Sequence, residues 1–210
     1  MEKALGRWVL LLAILPCLSA AETVWRCGTY HSAWSAADKA PKPSAPLPRP
    51  SRKSAEWGVD DTEWLRIYNF RTSSYNSVEF IYRAVGRLAV IAVQKNLWEL
   101  GMVSQDNVQY LLDRFEVSGP GHFKGIFDIE VPKFGEVSPL GGDSTIYIVL
   151  AEIEDELPDG ARVAGYFSRT DQNPRTGNFG DANSNYRNMV VIQATDLSAY
   201  NQASVLAHEF

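Results

Sequence analysis

The 210-residue sequence predicts an α+β fold, a mixed sheet with a docked helix at its C-terminus, preceded by a small β-rich region. Three patterns carry that prediction. Val, Ile, Tyr, Phe and Trp crowd residues 61–101; the run STIYIVLAEI lacks polar alternation; and two other segments repeat apolar residues at i, i+3, i+4 and i+7.

Taken in order, the first stretch, MEKALGRWVLLLAILPCLSAAET, places Lys3 and Arg7 before an apolar run from Trp8 to Leu18, then Ser19 and Ala21 at small-x-small spacing. This is the pattern of a secretory signal peptide over 1–21, too short for a retained membrane span. Export to a secreted, periplasmic or extracellular location is the expectation. Cleavage after Ala21 removes Cys17 and leaves Cys27, which is expected to be an inert thiol in a mobile N-terminal region, with no intrachain disulfide available. Residues 22–60 read as a Pro-rich linker or a pro-segment removed on activation. Within them DKAPKPSAPLPRPSRK (38–53) holds five of the chain's eleven prolines, whose missing N–H groups disfavour sheet and helix.

EWLRIYNF and SVEFIYRAVGRLAVIAVQKNLW, broken at Gly86, predict about three strands pairing in sequence within a β-rich region at 61–101. SQDNVQYLLDRFEV changes period: Val108, Leu111, Leu112 and Phe115 share one helical face, with Ser104 as N-cap and Asp106 in the positive first turn. STIYIVLAEI, apolar on both faces, belongs in the middle of a sheet. VAGYFS (163–168) and NMVVIQ (188–193) predict further strands, separated by a polar loop rich in Gly, Asn and Asp. DLSAYNQASVLAHEF closes the sequence with a helix whose apolar stripe is Ala203, Leu206, Ala207 and Phe210. No Gly, Pro or basic residue stops it, which predicts further chain beyond Phe210.

A net charge of −5 offers no basic field for a phosphate backbone, so nucleic acid is excluded as the expected partner. The chemistry concentrates in His208-Glu209. In H-E-x-x-H, two imidazoles one turn apart hold Zn²⁺ and the intervening carboxylate takes a proton from water. Here His208 is the expected zinc ligand and Glu209 the catalytic base; a second histidine would fall at 212.

The order of RAVGRLAVIAVQKNLW, SQDNVQYLLDRFEV, FDIEVPKFGE, DSTIYIVLAEIED, VAGYFSRTDQN, SNYRNMVVIQ and SVLAHEF resembles the secreted bacterial zinc metallopeptidases of the hyicolysin (neutral metallopeptidase) type, across roughly residues 78–210. The resemblance implies a zincin-type active-site helix, Zn²⁺ as cofactor with a third ligand downstream, and a peptide or protein as substrate. By residue it carries over only His208 and Glu209. On this reading 102–210 is the N-terminal, incomplete part of a zincin-like peptidase domain, and the 210 residues alone, with one zinc ligand of three, are expected to be inactive. Met189–Gln193 is the expected edge strand that would hold a peptide by strand addition.

The alternative is an exported, non-catalytic α/β binding or surface protein. Other features carry less chemistry. Asp181, Asn183 and Asn185 alternate as in a calcium loop but lack its Gly and Glu, so turn hydrogen bonding is expected. EIEDELPDG (152–160) reads as a solvated acidic turn, and His31 and His122 as surface histidines.

Overall fold

The computed structural model describes residues 23–28, 57–118, 123–140, 142–155, 157, 160–175 and 180–210. The signal peptide, the Pro-rich stretch 38–53, His31 and His122 lie outside the described residues. No helix among the described residues is long and apolar enough to cross a membrane.

Seven described strands form one mixed sheet: β1 (Trp25–Cys27), β2 (Thr62–Asn69), β3 (Ser74–Val85), β4 (Ala89–Gln94), β5 (Ile146–Ala151), β6 (Arg162–Phe167) and β7 (Asn188–Gln193). Their order is β1-β6-β7-β5-β4-β3-β2. The helices are α1 (Lys95–Glu99), α2 (Gln105–Glu116), α3 (Ile126–Phe134) and α4 (Ala199–Glu209). The expected α+β architecture, with a mixed sheet and a C-terminal helix, is therefore what the chain adopts. β2, β3 and β4 pair antiparallel in sequence, while β4, β5 and β7 run parallel at the centre.

Those three central strands explain the unbroken apolar runs. Successive side chains leave a strand on opposite faces. Ile91 and Val93, Ile148 and Leu150, and Val190 and Ile192 join Leu111, Phe115, Ala203 and Leu206 in the core under the helices. Their neighbours Val90, Ala92, Tyr147, Val149, Met189 and Val191 join a second core with Leu65, Tyr68, Phe70, Phe80, Tyr82 and Tyr166. Both faces of the centre are covered.

On the face away from the helices, the cover comes from the sheet itself, which curls until β2 returns toward β6. The Tyr68 N–H donates to the Tyr166 hydroxyl at 2.9 Å. Asn185 clasps the backbone of Arg66 from both sides, accepting from its N–H and donating to its C=O, each at 2.8 Å. The Phe70 N–H donates to the Glu154 carbonyl at 2.8 Å. Outward-facing groups of an edge strand, which would otherwise invite pairing with another chain, are thus satisfied internally.

Several expectations are refined by these contacts. KNLW leaves the sheet and forms α1, because Lys95 begins a turn whose only buried side chain is Leu97. FDIEVPKFGE forms α3, whose period is obscured by Pro132 inside the helix. Ser104 caps α2 as expected, accepting from the Asn107 N–H at 3.2 Å. The Gly86 break is a close approach: a Cβ there would lie 2.3 Å from Glu116 Oε1. That carboxylate accepts from the N–H groups of Arg87, Leu88 and Ala89 and so ties the start of β4 to the end of α2. EIEDELPDG is more than a solvated turn, since Glu154 accepts from the Asn69 and Arg71 side chains and Asp155 holds Arg162 Nε and the Val163 N–H. In the 181–187 loop, Asp181 accepts from the Asn183 N–H at 2.8 Å, a turn bond, and Asn185 serves β2.

Met189–Gln193 is not an edge strand, and that expectation is corrected. It lies inside β7, between β5 on one side and β6 on the other. A strand apolar on both faces belongs where both backbone edges are also paired.

Two buried polar groups lock the curl. Arg187, 5% exposed, grips Glu63 of β2 through two hydrogen bonds of 2.5 and 2.7 Å and donates to the Tyr82 hydroxyl at 2.9 Å. Its guanidinium also lies over the rings of Trp57 and Tyr147. Asp171, 1% exposed, accepts from the backbone and side-chain N–H groups of Asn185 at 3.0 and 2.7 Å. Burial lifts its carboxyl from 3.8 to about 7, against the downward pull of those bonds.

Removing one partner of the Arg187–Glu63 pair strands the other charge, so Arg187→Met is expected to cost about 3–5 kcal/mol, with Arg187→Met/Glu63→Leu recovering most of it in urea unfolding. For Asp171 the folded state binds the proton more tightly than the unfolded chain. Its contribution is therefore full below pH about 4, declines as pH rises toward about 7, and is level above that. Relative to Asp171→Asn, the wild type should lose about 4 kcal/mol over that window, read from urea midpoints; parallel pH profiles for the two proteins would contradict this.

Candidate metal centre

α4 presents the expected residues, but rotated from the predicted stripe. Its buried positions are Gln202, Ala203, Leu206 and Glu209. Gln202 explains the rotation: its side-chain N–H₂ donates to the carbonyls of Gln193 and Ala194 at 3.1 Å each, fixing the helix start to the end of β7. Seven residues on, Glu209 falls on the same face, 8% exposed. His208, one residue back, is exposed, so the expectation of a pair enclosed by apolar neighbours holds for the carboxylate and not for the imidazole. Ser198 caps the helix by accepting from the Asn201 N–H at 3.3 Å. Phe210 anchors the other end, with its ring 5.0 Å from Phe115 and 5.8 Å from Phe127.

The third member of the cluster was not expected. Donor atoms of Cys27, His208 and Glu209 all lie within 4.8 Å of one another. Cys27 does not lie in a mobile tail: it is half-buried on strand β1, and that part of the expectation is corrected. The stretch expected to be linker or pro-segment contributes a strand to the sheet.

Local rules explain how β1 reaches α4. It pairs parallel with β6, and the Arg162 N–H donates to the Val24 carbonyl at 2.7 Å. Trp25 lies under the Arg162 guanidinium. The register shifts between Arg26 and Cys27, so that Arg26 faces Val163 and Cys27 faces Gly165. A bulge of this kind re-aims the following side chain. At Gly165 α4 packs close against β6: a Cβ there would lie 2.6 Å from Val205 Cγ1 and 2.8 Å from the Val191 carbonyl oxygen. One missing side chain thus admits the helix beside the position that receives Cys27. Gly28, next in sequence, is equally confined, with a Cβ 2.7 Å from Phe70 Cζ and 2.8 Å from Val163 Cγ1.

A thiol, an imidazole and a carboxylate are the three donor types that zinc accepts. Tetrahedral ligation at 2.0–2.3 Å bond lengths sets donor atoms roughly 3.5 Å apart. The observed spread of up to 4.8 Å is wider than that spacing. The donor types are those of a zinc-class ion.

Glu209 faces a cleft of about 280 Å³. α3 supplies one wall through Glu130, Val131 and Phe134, and the beginnings of β5 and β7 supply the floor. Pairing of β6 with β7 stops at Phe167 and Val190, so Asn188 and Met189 line the cleft instead. Asn188 fixes its rim by donating to the Ser138 carbonyl and accepting from Gln172, each at 3.0 Å. No family model matches the chain, and no curated protein is similar to it.

Cys27 escaped the sequence reading because its partners are at the other end of the chain, and no spacing rule connects a bulged edge strand to a helix terminus. Gly28→Ala is expected to cost about 1–3 kcal/mol through overpacking against Phe70 and Val163 and to increase the reactivity of the Cys27 thiol; chemical unfolding and thiol-labelling rates check both.

Proposed function

We propose that this chain is the front part of an exported zinc-dependent endopeptidase, with His208 as a metal ligand and Glu209 as general base. The observation that carries this reading is the placement of Glu209. Glu209 is buried on the inner face of α4 with its carboxylate beside an imidazole, and it lines a cleft together with Glu130, Val131 and Phe134. A solvated helix end would leave that carboxylate in water.

Zinc, when bound, supplies Lewis acidity toward a peptide carbonyl and lowers the pKa of water to about 7. The protein's own groups do the rest. His208 holds the ion at the end of a helix that Gln202 and Phe210 fix at both ends. Glu209 takes a proton from the attacking water and returns it to the leaving amine. The cleft between α3 and β7 accommodates a side chain of the peptide, and the unpaired edge at Asn188 and Met189 offers it two residues of backbone. Strand addition along the whole of β7 is not part of this reading, because β6 occupies that edge.

Two measurements test it. The reading frame past codon 210 is expected to place a second histidine one helical turn after His208; a frame without one favours the exported, non-catalytic binding protein. In the protein so extended, Glu209→Gln is expected to lower hydrolysis of a quenched fluorescent peptide by about 10²–10⁴-fold with zinc content unchanged, whereas His208→Ala is expected to lose the zinc. Equal activity of Glu209→Gln and wild type would remove the carboxylate from the chemistry.

A further inference from the structure

The geometry points to Cys27 as a protein ligand of the same ion, making a thiolate–imidazole metal site that ties the N-terminal strand to the C-terminal helix. The inference rests on the metal reading above and deepens it. Three independent features converge on this thiol. Its sulfur lies within 4.8 Å of donor atoms of both His208 and Glu209. The bulge between Arg26 and Cys27 brings it opposite Gly165, the point where α4 approaches the sheet. Gly28 locks the chain immediately after it in a space where a Cβ would meet Phe70 and Val163. The sulfur is therefore held at the site by backbone pairing on β6 and by packing.

Soft divalent ions of the zinc class suit such a pair of donors, and hard oxygen-seeking ions do not. Binding forms one sulfur–metal bond and releases the thiol proton to solvent, with no change of oxidation state. The consequence concerns Glu209. A sulfur in this position fills a place on the ion that water needs to reach the carboxylate, since catalytic zinc sites keep one position open.

The test uses the full chain with Cys17→Ser in every variant, so that Cys27 is the sole thiol, and Co²⁺ as a spectroscopic probe for zinc. Co²⁺ titration is expected to give a near-ultraviolet thiolate-to-cobalt charge-transfer band that vanishes in both Cys27→Ser and His208→Ala. Loss of an outer-shell partner alone weakens metal sites about 10- to 100-fold, so Cys27→Ser is expected to bind Co²⁺ more than about tenfold less tightly. Zinc is expected to shield the thiol from a disulfide reagent in the parent and not in His208→Ala. Cobalt bound through His208 without a thiolate band overturns the role of Cys27 and leaves the metal reading standing. A thiolate band indifferent to His208→Ala also overturns the proposal, because the sulfur then binds the ion elsewhere. Absence of any cobalt binding by the 210 residues overturns this proposal, while the peptidase reading stands or falls on the zinc content of the extended protein. Metal-free urea unfolding shows whether Cys27→Ser leaves the fold intact, and Cys27→Ala, which keeps a small apolar side chain, replaces it if it does not.

Discussion

Burial on both faces of β4, β5 and β7 is the constraint from which the rest of the structure follows. Each apolar side chain removed from water contributes roughly 1.5–3 kcal/mol, and these strands present such side chains on alternate sides without a polar break. Helices cover one face. Covering the other with the sheet's own flanks forces the curl, and the curl brings the outer edge of β2 back to Tyr166, Asn185 and Glu154. An open sheet would have left those backbone groups to solvent or to another chain.

Closure of the curl also determines where charge is buried. Glu63 and Arg187 come from opposite flanks and meet inside, where desolvation offsets much of their attraction; the bidentate geometry and the Tyr82 hydroxyl supply what the pair needs to persist. Asp171 is buried beside Asn185 with two N–H donors and a burial cost that raises its proton affinity. These polar contacts specify one closed arrangement among the many that would bury the same apolar area.

The candidate metal centre inherits its geometry from this frame. α4 is positioned by Gln202 at one end, by Phe210 at the other and by the absent side chain of Gly165 in between. β1 is positioned by β6. Neither segment contains the cluster alone, and the peptidase reading proposed above draws its support from Glu209, which belongs to the cluster and also lines the cleft. Of the three clustered side chains, two were evident in the sequence as a His-Glu pair and the third, Cys27, was brought there by the sheet.

The sequence by itself determined what depends on neighbours a few residues apart: the helical face of Val108, Leu111, Leu112 and Phe115, the cap at Ser104, the meander after residue 61, the central place of STIYIVLAEI and the helix carrying His208 and Glu209. Hydrophobic period and turn chemistry are local, so they can be read without a fold. Only the tertiary structure decided that Met189–Gln193 lies inside the sheet, that Glu154 and Asp155 are clamps, that α4 turns Gln202 and Glu209 inward while leaving His208 at the surface, and that Cys27 stands beside them. Each of these is set by a contact between segments far apart in the chain. The physical reason is that strand order and helix rotation are chosen by total burial and backbone satisfaction over the whole sheet, and no short stretch of sequence encodes that sum.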